Sequence, residues 1–151
     1  MIPFRFRLES LLRIRRDERD AARRAHAQAV DARRIVEDRI GSAEEELAET
    51  RNRAAASAAP GAVDVDRLMH THRYALLLGS RVGHLRGQAA KIDEEIARRM
   101  EQLAKADREV RLLEKLRERK LETHREDAFR REQRAIDEMA QQVSLRRGDS
   151  P

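Results

Sequence analysis

Cysteine and tryptophan are absent from this chain of 151 residues, and its aromatics stop at Phe4, Phe6, Tyr74 and Phe129. Without cysteine there is neither a disulfide framework nor a thiolate metal site, which suits a reducing cytosol. So few large apolar side chains cannot fill a compact core. With 40% of residues charged and a mean hydropathy of −0.83, the composition is that of a charged coiled coil. Long apolar runs are missing too. The longest, Tyr74 to Leu78, falls far short of the roughly 20 residues that cross a bilayer. The opening MIPFRFRLESLLRIRR holds no stretch fit for a signal peptide. The expectation is a cytoplasmic protein with no direct membrane insertion.

Groupings that carry catalysis are equally scarce. His70 and His72 lie two apart, which on a helix turns them to different faces, so they cannot share a metal. His26, His84 and His124 have no acidic or sulfur partner at ligand spacing that stands out from background. No serine stands in a nucleophile elbow, and no phosphate loop is present. The chain reads as a non-enzyme with no cofactor and no metal.

What is present is a heptad. Counted from Leu68, the a positions are Leu68, Ala75, Val82, Ala89, Ile96, Leu103 and Val110, and all are apolar. The d positions are Thr71, Leu78, Leu85, Ile92, Arg99, Ala106 and Leu113, of which only Thr71 and Arg99 are polar. A repeat of this length marks a helix that buries one narrow stripe against another helix. Disorder, the competing reading for so polar a chain, does not hold apolar residues in register over such a length.

A second helix precedes it. Its stripe runs Leu8, Leu11, Ala22, Ala25, Ala29, Ala32, Val36, Ile40, Ala43, Leu47. Two successive steps of four at Ala32–Val36–Ile40 predict a stutter, which locally unwinds a supercoil. Between the helices, Pro60-Gly61 is a turn dipeptide, and Asp64 or Asp66 is placed to cap the next helix. The fold class expected is therefore all-α: two long helices forming an antiparallel coiled-coil hairpin. It is a single domain with helix 1 at about 4–55, a turn at about 56–64, helix 2 at about 65–143 and a flexible tail at 144–151. Facing residues should have numbers summing to about 120, which sets Leu8 near Leu113 and Gly41 opposite Gly79. Helix 2 would then overhang its partner from Arg117 onward, with Arg117, Lys120, His124 and Asp127 on the continued seam.

Three surface features stand out. Tyr74, Leu76 and Leu77 crowd more apolar surface beside Leu78 than one seam can bury, which marks either a protein contact or partial burial against helix 1 near Leu47. Gly79, Gly83 and Gly87 recur every four residues, either as a thinned stretch or as a place where another backbone approaches or the helix bends. Finally, residues 1–25 and 111–135 are both rich in arginine, and an antiparallel hairpin brings them to the same end. A pI near 10.3 invites a nucleic-acid reading. Interspersed acids, the lack of an aromatic platform and the lack of any docking motif speak against it. A basic tip made to dock on an acidic-lined protein surface fits better.

The opening Phe4-Arg5-Phe6-Arg7-Leu8-Glu9-Ser10-Leu11-Leu12-Arg13-Ile14-Arg15 resembles that of the flagellar export protein FliJ family. So do the run Leu113-Glu114-Lys115-Leu116-Arg117-Glu118-Arg119-Lys120-Leu121-Glu122 and the later Gln133-x-x-x-Asp137-Glu138-x-Ala140. Their order, and their placement at both ends, extend the resemblance over essentially the whole chain. The matched stripes predict a monomer, and the resemblance implies a stalk and adaptor of type III export, whose terminal end inserts into the hexameric flagellar export ATPase. It further implies contacts with the cytoplasmic region of the export-gate membrane protein and with substrate chaperones, at the inner face of the membrane beneath the flagellar basal body. Carried onto this sequence, the gate contact falls on Tyr74, Leu77, Leu78 and Leu85, with Arg81 departing from an aliphatic pattern. The ATPase contact falls on Arg117, Arg119, Lys120, Arg125, Arg130, Arg131 and Arg134. The alternatives are a generic, possibly self-associating, coiled-coil scaffold and a basic nucleic-acid binder.

Overall fold

The computed structural model describes residues 3–58, 61 and 63–148, with side chains as far as residue 142. Two helices dominate it, α1 (Glu9–Ser57) and α2 (Val65–Gly148), packed against each other as an all-α hairpin with no strand among the described residues. The chain packs as two units, Asp20–Ala104 on the one hand and Met1–Arg19 with Lys105–Pro151 on the other.

Within Asp20–Ala104, the core is a single layer of side chains: Val36, Ile40 and Ala43 of α1 against Val82, Leu85 and Ala89 of α2, with Ile92 beside them. Every a and d position of α2 from Leu68 to Leu103 is buried or half-buried, as the heptad predicts. On α1 the seam positions are Ala22, His26, Ala29, Arg33, Val36, Ile40, Ala43, Leu47, Thr50, Ala54 and Ser57, with Asp20, Ala25 and Glu44 half-buried beside them. Steps of three and four alternate throughout, so the expected stutter is absent. The reason is chemical. Ala32 is exposed, and Arg33 takes its place by laying its methylenes in the seam while its guanidinium reaches Asp93 at 2.9 Å. Arg99 does the same from α2, donating to the Ala25 carbonyl at 2.5 Å and to Glu95 at 2.7 Å. Hydrogen bonds from Arg98 and Arg99 hold the Glu95 carboxyl below its ordinary range. Thr50, the one buried polar side chain among the described residues, satisfies its hydroxyl on the Glu46 carbonyl at 2.8 Å.

Cross-helix contacts set Arg33 beside Asp93, Arg99 beside Ala25, Arg86 beside Glu44 and Tyr74 beside Glu46, so facing numbers total about 125 rather than 120. Helix α1 runs on to Ser57, past the expected end near residue 55, and Pro60 lies outside the described residues. Gly61 takes a φ of 154°, which side-chain-bearing residues rarely adopt. Asp64 is the cap of α2: its Oδ1 accepts the Arg67 amide at 3.1 Å, and its carbonyl accepts Leu68 N at 3.0 Å. Asp66 adds a favourable negative charge to the first turn.

In the other unit, Leu12 and Val110 are fully buried, whereas Leu11 is not, so the seam takes Leu12. Arg15 bonds Glu109 at 3.1 Å and Arg16 bonds Glu114 at 2.7 Å. Helix α1 begins at Glu9 rather than near Phe4. At the other end, α2 continues past 143 to Gly148, because no helix breaker precedes that glycine; residues 149–151 lie outside the described residues.

A Cβ added at Gly79, Gly83 or Gly87 would meet nothing within 4 Å. No other backbone among the described residues approaches them, and Gly41 is exposed rather than facing Gly79. Replacing Gly83 or Gly87 by Ala should therefore stabilise the fold by about 1 kcal/mol each, the helix-propensity difference between the two residues. Chemical denaturation of the single variants checks this, and a loss of stability would mean that the open space is not there.

Candidate interaction surfaces

The first surface belongs to the terminal unit. Residues 3–8 are not helical, and Phe4, Phe6 and Leu8 are half-buried while Arg5 and Arg7 are exposed. Over residues 3–6 that alternation is the period of extended chain, Arg7 and Leu8 turn into α1, and the half-buried side chains are the apolar ones. They form a strap on α2. The Phe4 ring meets the His124 ring edge-on, 5.6 Å between centroids. Glu9 donates its amide to the Phe6 carbonyl at 3.2 Å, and its carboxylate pairs with Arg117 at 3.0 Å. Open cavities flank the strap against α2. One, of about 770 Å³, touches Phe4, Leu121, Ala128 and Phe129; the other, of about 960 Å³, touches Phe6, Leu116 and Lys120.

The strap alters the expected overhang. Half-buried positions on α2 continue from Leu113 to Arg117, Leu121, His124 and Ala128, instead of passing through Lys120 and Asp127, which are exposed. Two steps of four, Leu113–Arg117–Leu121, rotate the stripe toward the strap. Uncovered helix begins only after Ala128, and residues 129–142 are exposed throughout, including Phe129, Ile136 and Met139. Of the seven cations assigned to this end, Arg117 is held by Glu9, Arg130 pairs with Glu126 at 3.3 Å, and Arg131 donates to the Asp127 carbonyl at 3.2 Å. Arg119, Lys120, Arg125 and Arg134 are exposed and form no ion pair among the described residues. Reading Phe4-Arg5-Phe6-Arg7-Leu8 as the start of helix 1 misses the extended strap; the strict alternation of these residues is the signal that identifies it.

The second surface lies early in α2, within the Asp20–Ala104 unit. Leu77 is 64% exposed and Leu76 62%, whereas Leu78 and Leu85 are core residues at 1% and 7%. Side-chain contact with a partner through Leu78 or Leu85 would require the hairpin to open, so the surface on offer is Tyr74, Leu76 and Leu77. Tyr74 is 44% exposed, and its hydroxyl donates to the Glu46 carboxylate on α1. This hydrogen bond, then partial desolvation, then the negative charge of Glu46 raise its pKa. Arg81 is exposed beside Glu46 in a shallow groove that also touches Ile35 and Ser42.

Among the described residues no group of three or more His, Asp or Glu converges on a possible metal position, and no helix is long and apolar enough to cross a membrane. The family model for the flagellar FliJ protein matches residues 4–149, nearly the entire chain. The chain belongs to the FliJ family. No curated protein and no solved structure matches it. Membership makes it a component of the flagellar export apparatus, from a family that is non-catalytic. Both surfaces offer arginine tips and apolar shoulders, side chains suited to gripping other proteins.

Tyr74 is the single tyrosine and tryptophan is absent, so alkaline absorbance reads one residue. The titration should have its midpoint above the usual value near 10. Because the folded state holds the neutral form, the stability from this bond is fully present below the ordinary pKa and is lost as pH climbs through the folded one. Glu46→Gln should bring the midpoint back toward the ordinary value. An unchanged midpoint would show that Tyr74 does not rest on Glu46.

Proposed function

We propose that this chain is the stalk and adaptor of the flagellar type III export ATPase. In this reading the protein is a monomer, stationed in the cytoplasm at the inner face of the membrane beneath the basal body. The exposed length of α2 beyond Ala128, together with the arginines around the strap, enters the hexameric ATPase ring. Tyr74 and Leu77 meet the cytoplasmic region of the export-gate membrane protein, and substrate chaperones are the third class of partner. The observation that carries the reading is the bare, arginine-bearing helix at 129–142 in a FliJ-family chain. A helix without tertiary partners has only marginal local support, so packing against another protein is what would hold it rigid. Guanidinium groups facing an acidic ring interior would both steer and orient it.

The test is a chain ended after Ala128, which keeps the seam and the platform of the strap. It should melt as a folded hairpin yet lose stimulation of the ATPase, while still binding the gate's cytoplasmic region. Conversely, Tyr74→Ala with Leu77→Ala should keep ATPase stimulation and weaken gate binding by roughly 1–3 kcal/mol per anchor. Full stimulation by the shortened chain would overturn the ATPase half of the reading. A gate affinity indifferent to Tyr74 and Leu77 would overturn the other.

A further inference from the structure

The α2 segment of the Asp20–Ala104 unit carries a second heptad, on its outer side. Starting at Met69, every seventh residue is apolar or glycine: Met69, Leu76, Gly83, Ala90 and Ala97, and all are exposed. The intervening positions three residues on include Gly79 and Met100. Met69, Leu76 and Met100 are large side chains exposed at 51%, 62% and 54%, well in excess of what the hairpin's own packing needs. Helix α1 supplies the other wall on this side. Glu44 bonds Arg86 at 2.6 Å, and one heptad along, Glu37 and Asp93 share Arg33. One heptad further the corresponding pair is Val30 and Met100, both exposed. Between the walls runs a groove of about 400 Å³ over Ile40, Ala89 and Ala90.

Two facts point to what fills it. Gly79 and Gly83 weaken α2 relative to Ala, and nothing among the described residues comes within 4 Å of the Cβ they lack. Their absent side chains gain nothing for the hairpin itself, and they leave room for a second backbone to come close. The outward rims are acidic. Asp31, Asp38 and Glu45 on α1, and Glu94 and Glu101 on α2, recur at seven-residue spacing and form no ion pair among the described residues.

We propose that this side of the hairpin docks a third helix from a partner protein, one with large aliphatic residues along its stripe and Arg or Lys on both flanks. Its aliphatic side chains pack over Gly79, Gly83, Ala90 and Ala97 between Leu76 and Met100. Its cations meet the five unpaired carboxylates. The surface is separate from Tyr74 and Leu77, which lie toward the other side of α2, and the inference does not depend on the ATPase or gate assignments.

The experiment uses the full chain and a labelled designed peptide about four heptads long, with leucine along its stripe and arginine on its flanks. A twin peptide carries glutamate flanks. The arginine peptide should bind, and the twin should bind at least about tenfold more weakly. Gly83→Gln with Ala97→Gln adds bulk without charge outside the seam, so it keeps the fold while weakening arginine-peptide binding by about tenfold or more. Leu77→Gln on the other side should leave that binding unchanged. Equal binding of the two peptides, or an affinity insensitive to Gly83→Gln with Ala97→Gln, overturns the proposal. Sedimentation of the chain alone supplies the last arm: a monomer supports a partner helix, whereas a dimer abolished by the same two changes would make a second copy the occupant and overturn it.

Discussion

A single layer of aliphatic side chains between two helices is the constraint on which this protein rests. There is no second layer to compensate for a fault in the first. Each fully buried aliphatic side chain contributes roughly 1.5–3 kcal/mol. The exposed ion pairs that cross the same interface contribute about 0.2–1 kcal/mol each, less in salt. Register is therefore set by Val36, Ile40, Ala43, Val82, Leu85 and Ala89, and the charged pairs follow it. This division leaves most of the charge on the surface available to other molecules.

The seam of α2 was legible because it is written almost entirely in aliphatic residues. That of α1 was only half legible, because amphipathic residues sit in it. Arg33 and His26 count as polar in a hydrophobic pattern, yet their stems or rings are half-buried, and a reading confined to apolar residues passes over them to Ala32 and Ala25. Leu11, three residues after Leu8, reads as the seam position only if Leu8 is helical; α1 begins at Glu9, and the seam takes Leu12. The register differs by about five because seam packing sets how far one helix is displaced along the other, and a loop sequence does not report that. The strap could have been found, since apolar residues two apart between arginines cannot share one face of a helix. Among candidate site residues, Leu78 and Leu85 already belonged to the d series, so their burial was written in the sequence; the exposure of Leu77 was as well.

The two units divide the work. Asp20–Ala104 holds the tight layer, the Tyr74 shoulder and the acidic-rimmed groove, all on fixed helical scaffolding. The terminal unit holds a shorter stretch of seam, an extended strap with open space on both sides, and a helix left bare after Ala128. Such a division gives one part that keeps its geometry unaided and another whose helix has exposed side chains from 129 to 142. The arginines fit this arrangement: those in the seam are anchored by carboxylates or carbonyls, and those beyond the strap are mostly directed outward.

The most direct measurement is cysteine cross-linking, which the absence of native cysteine makes unambiguous. Ala43→Cys with Val82→Cys places two thiols in the same layer of the seam, whereas Ala43→Cys with Leu77→Cys corresponds to a register total of about 120. Mild oxidation should close the first pair rapidly into an intramolecular disulfide, with the chain still running as a monomer, and should leave the second pair reduced. Faster closure of the second pair, or disulfides formed only between chains, would contradict a hairpin that locks on itself in this register.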